Sequence, residues 1–119
     1  QENWDVGSHT VNHAILTRVS ESVVRRELTV SKEVLQKELQ MPIHFFAYPN
    51  GKEFDFNIQI KQWVQEAGYR GALTTLPGFN SGSFDLFELR RQSPWEEHLP
   101  SFAIKLRWSY WRSCEKMAL

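Results

Sequence analysis

The chain has 119 residues, 41% hydrophobic and 24% charged, which suits one small globular domain with one core. Lys plus Arg and Asp plus Glu balance at 14 each, so no net field draws nucleic acid or an anionic membrane surface. A single cysteine, Cys114, excludes an internal disulfide and a cysteine-built zinc site, and no apolar run approaches the roughly 20 residues of a membrane helix.

In chain order, Trp4 to Ser8 reads as a short strand, with Gly7 permitting close backbone approach. It runs into Ser8-His9-Thr10-Val11-Asn12-His13. Two imidazoles four residues apart share one face of a helical turn, so both can reach one metal ion. Asp5 is a poor third ligand, since an extended run puts it roughly 13 Å from His9. Residues 14–18 read as a connecting loop. Ser20 is an N-cap candidate, and Val24, Leu28, Ser31, Leu35 and Leu39 then recur at helical spacing up to Pro42. Ile43 to Tyr48 reads as a buried strand, and Pro49-Asn50-Gly51 forces a turn. Phe56, Ile60, Trp63, Val64 and Ala67 mark a second amphipathic helix closed by Gly68.

Gly71 to Thr75 is another short strand, residues 77–85 form a loop, and Leu86 to Arg91 holds a last short strand. Pro100 and Ser101 open a final helix carrying Phe102, Leu106 and Tyr110, although Phe102 to Trp108 also fits a strand. Strand, helix, strand, helix, strand is the order of parallel βαβ units, whose chemistry gathers at the C-terminal strand ends. The histidine run and the Pro-Asn-Gly turn both sit at such ends. Five Trp, eight Phe and three Tyr exceed what so small a core needs, so some are available to a sugar-stacking groove or an interface. His44 and His98 have no catalytic context and read as structural or surface residues.

The runs VGSHTVNH, LTRVSESVVRRELTVSKEVLQ, FFAYPNG, AGYRGALTTLPGFN and LRR, in this order from Val6 to Arg91, resemble the NodB-type polysaccharide deacetylases of carbohydrate esterase family 4. The resemblance implies an α/β fold, part of a distorted parallel (β/α) barrel of the NodB type lacking its first strands. Such barrels need ~200 residues or more, so residues 1–119 are expected to be a partial NodB-like domain whose front lies upstream. It implies a metal-dependent hydrolase that removes N-acetyl or O-acetyl groups from a carbohydrate polymer, in the cell envelope or outside the cell.

By the same resemblance, His9 and His13 ligate a divalent metal, zinc foremost. The third ligand, an aspartate, and the general base belong to an upstream T-F-D-D motif that this sequence does not contain. The backbone N–H of Asn50 stabilises the oxyanion, and Tyr48 and Pro49 shape the substrate site. Where relatives place a bracing arginine this chain has Ala47, so Arg90 or Arg91 is the candidate for that charge. No leucine-x-histidine motif supplies a general acid. Without base and acid the chain is expected to be inactive alone. The alternative is a non-catalytic carbohydrate-binding module, or one that self-associates through exposed strand edges.

Overall fold

The computed structural model describes residues 4–92 and 98–117. The first helix, α1, spans Glu21–Leu39 and buries Val24, Glu27, Leu28 and Ser31 on one stripe. Ser20 stands in extended N-cap geometry, but its hydroxyl bonds Ser22 instead of capping the helix. Gln40 closes α1 in the left-handed region, and Pro42 follows. The expected loop at 14–18 contains a 3-10 turn, Leu16–Arg18, which seats Leu16 in the core.

The second helix, α2, spans Ile58–Glu66 and is capped by Asn57, whose side-chain oxygen accepts the Ile60 N–H at 2.9 Å. Phe56 lies before this helix, in the core. At the far end the Gly68 N–H bonds the Gln65 carbonyl and the Tyr69 N–H bonds that of Val64, a Schellman closure with Gly68 at φ 79°. Arg25 ties the two helices through Glu66 at 2.8 Å. That pair is exposed and contributes little to stability.

Two strands form the sheet centre. β1, Phe45–Ala47, pairs in parallel with β2, Gly71–Leu73, in the register Phe45 to Gly71 and Ala47 to Leu73. Single bridges extend it in parallel on both sides, Ser8 to Phe46 and Leu89 to Leu73. The spatial order is therefore Ser8, β1, β2, Leu89, with every C-terminal end on one rim. The strands expected at 4–8 and 86–91 shrink to these bridges. Among the described residues only Ser8 of the first run has a bridge partner, and a turn at 86–88 interrupts the second. The first two crossovers run through α1 and α2, whereas the third is the irregular segment 74–88.

The core lies beneath this sheet. Phe46 and Tyr48 of the β1 run meet edge-to-face at 5.4 Å, Tyr48 stacks on Phe56 at 4.7 Å, and Val24, Leu28, Ile60 and Val64 close the layer from the helices. The third helix, α3, spans Leu99–Met117, so residues 102–108 are helical and not a strand. It touches the body through Gln92 to Ser109 at 3.0 Å and Phe79 against Tyr110 at 5.2 Å, while Ile104, Trp108 and Trp111 stay exposed.

Gly51 joins the β1 run to the end of β2. At φ 65°, a Cβ there would stand 2.9 Å from the Thr75 nitrogen. Gly51→Ala is expected to lower unfolding stability by more than about 1 kcal/mol, read as a reduced urea midpoint with unchanged slope.

Candidate active site

The parallel ladder sets the first element of the site. Ser8 donates its N–H to Phe45 at 2.9 Å and accepts from Ala47 at 2.8 Å, which fixes His9 as the first residue beyond the paired edge. The His9 side chain then leans along the rim, with Nδ1 2.8 Å from the Ala47 carbonyl oxygen. A carbonyl only accepts, so this contact places the proton on Nδ1 and leaves the Nε2 lone pair for a metal. The His13 ring stands 4.8 Å away, edge-on at 72°.

The histidines do meet, but not on a helical turn. Thr10 and His13 have φ of 66° and 54°, and residues 11–12 form a bend. Left-handed backbone at non-glycine residues, one of them β-branched, costs of order 1–3 kcal/mol each and persists only where the surroundings hold it. The buried Thr10 hydroxyl also lacks a hydrogen-bond partner among the described residues.

The clamp on this loop comes from Glu27, which the sequence analysis did not single out. It sits on the buried face of α1, and its carboxylate accepts the Val11 N–H at 2.7 Å, the Asn12 N–H at 2.9 Å and the Asn12 side-chain amide at 2.6 Å. Burial pushes this carboxyl up, but the Asn12 and Val11 hydrogen bonds and the charge of Arg26 outweigh it and hold it below its ordinary value. The available signal was a carboxylate three residues after Val24, on the helical stripe that also carries Leu28 and Ser31. A second polar link lies below the loop, where the Ser8 and Ser31 hydroxyls meet at 2.6 Å.

The 48–51 turn forms the neighbouring part of the rim. Asn50 is exposed at φ 58°, and its carbonyl accepts the Thr75 hydroxyl at 2.6 Å. Its N–H meets no protein acceptor among the described residues. Tyr48 and Pro49, expected to shape the substrate site, are buried instead. The Tyr48 hydroxyl donates to the Phe87 carbonyl at 2.9 Å and burial raises its pKa, so this side chain is a packed support for the turn.

Arg90 also departs from expectation. It lies on the outermost strand position, about 14 Å of sheet from the Ser8 edge. Its backbone exchanges hydrogen bonds with the Asn80 side chain, and its guanidinium donates to the Pro77 carbonyl at 3.2 Å. It therefore braces the 77–80 loop. Arg91 is exposed, with its N–H on the Leu76 carbonyl. His44 is half-buried, and His98 is exposed, with Nδ1 2.9 Å from the Ser101 hydroxyl at the start of α3. Among the described residues no group of three His, Cys, Asp or Glu side chains could hold a metal, Asp5 included.

The polysaccharide deacetylase family model matches residues 1–72. No curated protein matches the chain. Among solved structures, it is similar to the Streptococcus pyogenes deacetylase PplD, determined in complex with acetate, at 29% identity and a TM-score of 0.74, over 83% of this chain and 42% of that one. It is also similar to a polysaccharide deacetylase from Bacillus cereus, at 31% identity and a TM-score of 0.62, over 72% of this chain and 26% of that one. The chain thus spans less than half the length of these relatives. Its small parallel sheet and flanking helices match part of the NodB-type fold, as the resemblance implied. With the family model covering well over half of its residues, the chain belongs to the polysaccharide deacetylase family.

Proposed function

We propose that this chain forms part of a metal-dependent deacetylase domain that hydrolyses N-acetyl or O-acetyl groups on a carbohydrate polymer. The reading rests on one observation above all: the His9 and His13 rings stand 4.8 Å apart at the C-terminal rim, with His9 Nδ1 engaged by Ala47. Two imidazoles, one of them oriented by a carbonyl, would supply two ligands to a divalent metal, with zinc the foremost candidate. When bound, the metal would polarise the acetyl carbonyl and activate water at neutral pH.

The chain's own residues divide the remaining work. His9 and His13 would hold the metal from one side. The Asn50 N–H, at a turn fixed by Thr75 and Gly51, is a backbone donor for the developing oxyanion. The 48–49 segment supports that turn from within the core. The third ligand, the general base and the general acid are assigned to parts of the whole protein outside the described residues, so the 119-residue chain by itself releases no acetate.

In the full-length protein, acetate release from N-acetylglucosamine oligomers should require divalent metal and be abolished by His9→Ala. Retention of activity in that variant rejects the reading. Asn50→Gly, which suits φ 58° and keeps the N–H, should lose less than about tenfold in kcat, against the ~10²–10³ lost when an oxyanion donor is removed.

The second reading, a self-associating module, is favoured by the exposed Ile104, Trp108 and Trp111 at helical spacing on α3. Light scattering of the chain should then give a dimer mass that Trp108→Glu returns to monomer. A monomer at all concentrations rejects it.

A further inference from the structure

We propose that Glu27 is a positioning residue for the metal-binding histidines, acting through the loop between them. The proposal rests on the metal reading above for its purpose, and on geometry for its mechanism. Residues 10 and 13 are both held in left-handed backbone, and the two residues between them, Val11 and Asn12, present their N–H groups to one carboxylate. Oε2 takes both backbone donors, and Oε1 takes the Asn12 side-chain amide. One rigid acceptor therefore fixes the peptide planes on which the orientation of His13 depends. His9 is fixed separately, by the ladder at Ser8 and by the Ala47 carbonyl.

Val11 and Asn12 are exposed, so water could satisfy their N–H groups if the loop lifted away. What keeps the loop down is that Glu27 is already buried on α1 and would lose its own partners if the loop left. The carboxylate thus couples the seating of α1 against the sheet to the spacing of the two rings.

The acceptor role predicts a specific pattern. Glu27→Gln can keep all three contacts, with the glutamine oxygen on the two backbone N–H groups and its amide donating to a flipped Asn12. Glu27→Leu keeps the volume and loses every acceptor. Val24→Ala removes core packing from the same helix and leaves the Glu27 carboxylate in place.

The experiment uses the full-length protein, read by nuclear Overhauser contacts between the His9 and His13 ring protons without metal, and by zinc titration. Wild type and Glu27→Gln should keep the ring contacts and bind zinc within about threefold of each other. Glu27→Leu should lose the contacts and bind ~10–100-fold more weakly, the scale found when a supporting residue behind metal ligands is removed. Val24→Ala should be less stable yet retain both signals. Should Glu27→Leu fail to fold, Asn12→Ala should show a smaller loss in the same direction.

Unchanged ring contacts in Glu27→Leu, or in Asn12→Ala where it serves instead, overturn the proposal. So does an equal loss in Val24→Ala, which would reduce the effect to general destabilisation. Ring contacts that depend on Glu27 in a wild type that binds no zinc would sustain the positioning role and sink the metal reading alone.

Discussion

Two backbone hydrogen bonds, from Ser8 to Phe45 and from Ala47 to Ser8, decide where the chemistry of this chain can stand. They lock a single extended residue against β1 in parallel register. A slip of one residue would turn the following side chain to the opposite face. With the register held, His9 leaves the sheet beside the end of β1, and the carbonyl of Ala47 accepts from its ring. The same end of β1 continues into the 48–51 turn, so the histidine pair and the Asn50 N–H are set by adjacent strands of one ladder.

The aromatic core beneath explains why so short a sheet holds that register. Phe46, Tyr48, Phe56 and Tyr69 form one contact chain, joined by Leu28 of α1 and by Val64 of α2. Tyr69 also donates to the Leu28 carbonyl at 2.9 Å, which leaves its hydroxyl satisfied in the interior. Tyr48 belongs to this layer. A side chain that packs against both sheet and helix supports the turn that carries Asn50 from within.

Both inner helices were legible in the sequence because their apolar spacing coincides with real burial at Val24, Leu28, Ser31, Ile60 and Val64. The end of α2 was legible because only glycine takes a left-handed C′ position without cost. The short edge strands were overestimated, since pattern alone does not say whether a partner lies alongside. The histidine pair was legible by spacing, but for a conformation it does not adopt. Helical and kinked backbones both bring residues i and i+4 together, and the kinked one depends on Glu27, 14 residues beyond the second histidine. Long-range hydrogen bonds of that kind leave no periodic trace. The partner of Arg90 was illegible for a related reason, because an arginine near a strand end does not say which loop its guanidinium will serve.

Backbone strain shows how the rim is organised. Among the described residues four that are not glycine have positive φ: Thr10, His13, Gln40 and Asn50. Gln40 is an ordinary helix terminator. The other three all lie just past the C-terminal ends of adjacent strands, and each strained segment is held by an element other than its own. Glu27 of α1 holds the residues between Thr10 and His13, and Thr75 beyond β2 holds Asn50. None of the three stands on a helix or strand, yet their geometry is imposed by the scaffold through crosswise hydrogen bonds. Loops placed this way combine the reach of irregular backbone with the precision of regular elements.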